Sequence, residues 1–146
     1  MSKFMDEAID EAKAAALRNE VPVGAVLVKD GLIIAQNGNR ILELKDPTAH
    51  AEILVIREAA RKLGNERLTH CDLYVTLEPC PMCASAISFA RINRLYFGAS
   101  DEKGGGVENG VRLYQQQTCH HAPQVYGGLQ AQAAAHLLRE FFARKR

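Results

Sequence analysis

From residue 48 to residue 98 the chain alternates helix-forming and strand-forming stretches, and this alternation constrains the fold more than any other feature. Thr48 reads as the N-cap of a helix running to about Leu63, with Gly64 as its stop. Asp72 to Leu77 alternates and is rich in β-formers, so it reads as a strand. Pro79 to Pro81 opens a second helix to about Ala90, and Asn93 to Gly98 reads as another strand. Strands interleaved with helices in this way require right-handed crossovers, parallel pairing and helices on both faces of one sheet.

The flanks extend the pattern. Residues 4 to about 18 place Phe4, Met5, Ala8, Ile9, Ala12 and Ala16 on one helical face. Val21 to Val28 is a mostly apolar strand, Lys29-Asp30-Gly31 a turn signal and Leu32 to Gln36 a returning strand, together a hairpin. A polar loop spans Asn37 to Thr48. Beyond Gly98, the stretch 101–110 is a glycine-rich loop, Val107 to Gln117 is ambiguous between helix and loop, and Pro123 to Tyr126 reads as a last strand. Leu129 to Arg144 is an amphipathic helix carrying Leu137, Leu138, Phe141 and Phe142. At 146 residues the chain is sized for one domain, residues 1–146.

No apolar run approaches membrane-spanning length, and Met1 to Glu7 does not read as a signal or transit peptide, so the expected location is the cytoplasm and no membrane partner is expected. A net charge of +1 neither signals nor excludes a nucleic-acid partner. Arg139 to Arg146 carries four basic residues against Glu140; on charge alone this reads as a solvated last turn suited to the helix dipole.

The cysteines are Cys71, Cys80, Cys83 and Cys119. With 47% hydrophobic residues the chain can build a core and needs no disulfide framework, which leaves metal binding or redox chemistry. Cys80 and Cys83 share the first turn of a helix, where the dipole favours thiolates. Alone they could be a redox dithiol or two small core residues. His50 tips the balance, because it also begins a helix and the strand 72–77 brings both helix starts to one sheet edge. His50, Cys80 and Cys83 then form a three-ligand zinc site with an open fourth position, the arrangement of catalytic zinc. A structural site closed by Cys119, His120 or His121 is the alternative. Glu52, expected with His50 in the exposed first turn, is placed to reach a water at the open position and shuttle its proton. Cys71 reads as a small apolar residue at a strand edge.

His50-Ala51-Glu52 followed by Pro79-Cys80-Pro81-Met82-Cys83 resembles the signature of the zinc-dependent nucleoside and nucleobase deaminases. The likeness to the bacterial tRNA adenosine deaminases is closer still. It runs through Glu20 to Val26, Gly38-Asn39-Arg40, Asp46 to Glu52, Leu73 to Cys80, Ala90-Arg91-Ile92 and Phe97 to Lys103, and reaches Phe141-Phe142. It is weakest from Val107 to Tyr126.

The resemblance implies a three-layer α/β/α cytidine-deaminase-like fold with a mixed five-stranded sheet, and one Zn2+ per subunit. It further implies a homodimer that deaminates the wobble adenosine in a tRNA anticodon loop. By the same resemblance Asn39 hydrogen-bonds the nucleoside, the Ala51 N–H meets the base and the Pro79 carbonyl faces the leaving amine. Asp101 and Lys103 lie in a loop against the RNA backbone, Phe142 lines the RNA surface, and Arg144, Lys145 and Arg146 contact phosphates. A deaminase of free guanine, cytosine or cytidine, or a non-catalytic zinc or tRNA-binding module, is the alternative.

Overall fold

The structure is a computed structural model and describes residues 2–145; Arg146, expected at a phosphate, lies outside them, as does Met1. Ten elements follow in the order α1 (Lys3–Leu17), β1 (Gly24–Lys29), β2 (Leu32–Gly38), α2 (Ile41–Leu44), α3 (Ala51–Leu63), β3 (Cys71–Leu77), α4 (Pro81–Phe89), β4 (Arg94–Ala99), β5 (Gln124–Tyr126) and α5 (Ala131–Arg144), with a 3-10 turn at Leu113–Gln115 before β5. The sheet order is β2-β1-β3-β4-β5. β1 runs antiparallel to both β2 and β3, while β3, β4 and β5 are mutually parallel. The expected mixed five-stranded sheet is therefore present, with its parallel half where strands and helices alternate.

The β1–β2 connection is the two-residue turn Asp30-Gly31, both with positive φ (53° and 74°), which matches the twist of the paired strands. Helices cover both faces. The alanine-rich stripe of α1 (Ala8, Ala12, Ala15) lets it sit close on β1 and β2, with α5 beside it over β4. The opposite face is the larger core, where Val55 and Ala59 of α3 and Ala84 and Ile87 of α4 meet Leu27, Leu73, Val75, Leu95 and Phe97 of the sheet. On the α1 face, Tyr74, Tyr96 and Tyr126 stand in register on β3, β4 and β5. Their rings stack at 4.5 and 5.0 Å between centroids, and Phe4 of α1 closes the row against Tyr74 at 5.4 Å.

Three local expectations change. The polar loop before α3 contains the one-turn helix α2, whose first N–H groups are received by buried Glu20: Leu42 and Glu43 donate to its carboxylate at 3.0 and 2.9 Å. Thr48 does not cap α3; its hydroxyl and N–H both donate to Asp46 in a local turn, and His50 is the N-cap residue instead. Gly64 does end α3, in the left-handed region at φ 67°. The third change concerns α5: Phe141 is buried with Ala134, but Phe142 is 47% exposed, so the aromatic pair straddles the edge of the stripe.

Candidate active site

β3 runs between α3 and α4 and returns the chain to the same sheet edge, so the N-termini of both helices converge. His50 and Cys80 are the N-cap residues of α3 and α4, and neither uses its side chain to cap its own helix. Cys83 sits one turn into α4 and is buried. His50 Nδ1 lies 3.7 Å from Cys80 Sγ and 3.5 Å from Cys83 Sγ. Zinc bonded to sulfur and nitrogen at its usual lengths and a tetrahedral angle separates those atoms by about 3.5 Å. The three donors thus fit a zinc ion in both type and spacing.

Among the described residues these three form the one cluster of His, Cys, Asp and Glu donors close enough to hold a metal. Cys119, His120 and His121 do not join it. Cys119 contacts Ser88 and the His121 carbonyl, and His121 Nε2 contacts the Ile92 carbonyl, so this segment straps the far end of α4.

Glu52 is 3% exposed, not on an open first turn as expected, and its Oε1 is buried with no hydrogen-bond partner. An orphaned carboxylate oxygen is costly in a folded interior unless a partner completes it, and this one belongs to a residue lining a cavity with His50 and Cys80. Burial pushes the Glu52 carboxyl up to about 7. Between the cysteines the proton is divided unequally. The Cys83 thiol donates to Cys80 and, with help from His50 and against burial, brings Cys80 down to about 4. Cys83 is pushed up by that same hydrogen bond and by burial. His50 is raised by its contact with Cys80. The downward shift of Cys80 favours the thiolate form that a zinc ligand needs.

A cavity of about 260 Å³ opens over the cluster, lined on its apolar side by Val21, Val23, Ile41 and Leu77 and on its polar side by Asn39, His50, Glu52, Glu78, Cys80, Asp101 and Gly104. Asn39 is buried, and its Oδ1 accepts the Ala51 N–H at 2.8 Å. That N–H, expected to be offered to the base, is thus already engaged by Asn39, while Asn39 Nδ2 makes no hydrogen bond within the described residues. The Pro79 carbonyl, expected to face the leaving amine, accepts the Gly106 N–H at 2.8 Å. Asp101 lines the cavity and folds its Oδ1 back onto the N–H groups of Lys103 and Gly104.

Lys103 is exposed and does not line the cavity, and neither does Phe142. Phe142 borders a separate surface hollow with Leu138 and Arg139. The end of α5 meets the end of α1, where Lys145 Nζ donates to Asn19 Oδ1 at 3.3 Å, and the two border a hollow of their own with Arg144. Two further carboxylates, Glu20 and Glu78, are buried, and residue order assigns neither a role. A glutamate directly before the Pro-Cys pair was a visible signal for Glu78, but the loop that surrounds it is remote in sequence.

Residues 1–99 match the model of the cytidine and deoxycytidylate deaminase zinc-binding region. A curated tRNA-specific adenosine deaminase of Agrobacterium fabrum is 64% identical over 98% of this chain and 94% of its own length. One of Rickettsia typhi is 43% identical over 97% of each. A solved structure from a study of A-to-I editing by tRNA:A34 deaminases at the wobble position superposes with a TM-score of 0.92 at 64% identity, covering 92% of this chain and 98% of that one. A guanine deaminase structure from Nitrosomonas europaea superposes with a TM-score of 0.83 at 25% identity, over 96% and 83%.

Proposed function

Since the chain belongs to the cytidine and deoxycytidylate deaminase zinc-binding family, we propose that it hydrolytically deaminates adenosine to inosine at wobble position 34 of tRNA. The observation that carries the substrate is the 64% identity, over nearly the full length of both chains, to a tRNA-specific adenosine deaminase.

His50, Cys80 and Cys83 hold the zinc. A zinc ion so bound supplies a water acidic enough to be deprotonated near neutral pH. Glu52 takes that water's proton on Oε1, passes it to the adenine ring nitrogen as water oxygen bonds to C6, and carries the second proton to the amine, which leaves as ammonia. The raised affinity of the buried carboxyl for protons suits it to this exchange. Val21, Val23, Ile41 and Leu77 give the base an apolar slot, and Asn39 Nδ2 donates to the nucleoside. A loop adenosine leaves its stack at less cost than a paired one. Asp101 and Lys103 on one rim, and Phe142, Arg144 and Lys145 at the end of α5, meet the RNA backbone and flanking bases.

A homodimer formed through α4 accompanies this reading. Phe89, the last residue of α4, is 75% exposed and borders a cavity of about 310 Å³ with Ser85, Ser88, Arg91, Leu113 and His120, a large exposed ring that a second copy would cover. Cytoplasmic location follows from the tRNA substrate; no described helix is long and apolar enough to cross a membrane.

The test is to incubate zinc-loaded protein with an anticodon stem-loop carrying adenosine 34 and, separately, with free adenosine, guanine, cytosine and cytidine. Inosine in the loop alone supports the reading. Ammonia from guanine, cytosine or cytidine, with the RNA untouched, overturns it. Sedimentation of the free protein as a monomer at micromolar concentration overturns the dimer.

A further inference from the structure

Glu78 is a buried acid that the chemistry above leaves unused. It lies just past the end of β3, two residues before Cys80, and is 2% exposed. Six donors converge on its carboxylate. Oε2 accepts the consecutive backbone N–H groups of Val107, Glu108 and Asn109 at 3.1, 2.8 and 3.0 Å. Oε1 accepts the Asp101 N–H at 2.9 Å, the Asn109 side-chain amide at 2.7 Å and the Ser100 hydroxyl at 3.3 Å.

Successive backbone N–H groups closing on one oxygen are how a loop binds an external anion. Here the anion is a side chain of the same protein, and every donor comes from residues 100–109. The loop is built to close on it: a Cβ on Gly105 would stand 2.6 Å from Glu78 Cδ, and one on Gly106 would stand 2.7 Å from Pro81 N. The loop so fixed supplies Asp101 and Gly104 to the cavity wall.

We propose that Glu78 is a positioning residue for the substrate: it is the internal anion around which loop 101–110 folds, and it acts on the target nucleotide through Asp101. The inference rests on the deaminase reading of the cavity. In Glu78→Gln the shape is kept, but an amide NH2 replaces one oxygen and is turned against N–H donors. A residue that orders a binding wall, and does not touch the reacting atoms, shifts KM more than kcat.

The experiment measures steady-state kinetics on the adenosine-34 stem-loop, with zinc content determined on the same samples. Glu78→Gln is expected to keep its zinc, raise KM by about tenfold and change kcat by less than about threefold. Combined with Asp101→Ala, it is expected to add no more than about a twofold further loss, because both substitutions remove the same contact. A parent-like KM, a fall in kcat at unchanged KM, or full additivity with Asp101→Ala overturns the proposal. Should Glu78→Gln fail to fold or to hold zinc, Asn109→Ala removes the 2.7 Å donor without altering the segment that leads into Cys80. It is expected to raise KM in the same sense, and a parent-like KM there overturns the proposal. Failure of the parent protein to deaminate the stem-loop is a separate result that refutes the functional reading itself.

Discussion

Asn39 Oδ1 accepts the backbone N–H of Ala51, the first residue of α3, at 2.8 Å. The asparagine thus caps, from another element, the helix whose own N-cap residue His50 has its side chain turned to the metal cluster. The same bond orients the amide, leaving Nδ2 without a partner among the described residues.

Structure and chemistry therefore separate at this side chain. Asn39→Ala is expected to lower unfolding stability by about 1 kcal/mol, the usual cost of a lost cap, and to abolish deamination. Asn39→Asp keeps an oxygen for Ala51 at a helix N-terminus that favours negative charge, so its denaturation midpoint is expected to stay nearer the parent's while activity is still lost. Chemical denaturation beside a deamination assay checks both.

Glu52→Ala is expected to retain one zinc per chain by elemental analysis and to lose roughly 10²- to 10⁴-fold in turnover, the usual contribution of a positioned acid–base. Parent-like turnover would rule out the proton role given to its unpartnered Oε1.

Replacing Cys83 by Ala removes a ligand from the cluster and is expected to abolish zinc binding and activity together. Cys119→Ser is expected to leave zinc content and turnover within about twofold of the parent, because Cys119 contacts Ser88 and the His121 carbonyl, not the cluster. Zinc loss from Cys119→Ser would restore the closed, structural site.

Gly105→Ala drives a Cβ to within 2.6 Å of the Glu78 carboxyl carbon and 2.5 Å of the Asp101 carbonyl. The overpacking is expected to cost about 1–3 kcal/mol. Crystallography of the variant should show loop 101–110 displaced with the zinc ligands in place.

Asp46 accepts the hydroxyl and N–H of Thr48, and these bonds, with smaller help from Arg57 and against slight burial, hold its carboxyl below the ordinary value. A depressed carboxylate stabilises the fold above its unfolded pKa of about 3.9, and that contribution is lost as pH falls through the folded value. Thr48→Val is therefore expected to melt below the parent at pH 6, and the difference is expected to shrink as pH is lowered below about 3.9, as thermal scans across that range would show.

Much of this architecture is legible in residue order. The crossover from α3 through β3 to α4 announces itself by pattern, and with it the meeting of His50, Cys80 and Cys83. The cap expected at Thr48 is absent because Asp46, two residues away, competes locally for its hydroxyl. Glu20 and Glu78 are illegible for a different reason: their donors lie more than twenty residues downstream, and nothing local marks where a buried carboxylate will find them. Ala51 illustrates a third limit, since a backbone N–H has one proton to give and its availability depends on which neighbour reaches it first, here Asn39; the Pro79 carbonyl, which accepts from Gly106, keeps a second lone pair.

The row of stacked tyrosines across β3, β4 and β5 gives the molecule an optical label of its own. The chain has no tryptophan and four tyrosines, three of which stand in that row. Near-ultraviolet dichroism is thus dominated by coupled rings spanning the parallel half of the sheet. Detachment of β5, only three residues long, would uncouple Tyr126 while leaving the helical far-ultraviolet signal almost intact. Any opening of the parallel edge would register in the near-ultraviolet without an added dye.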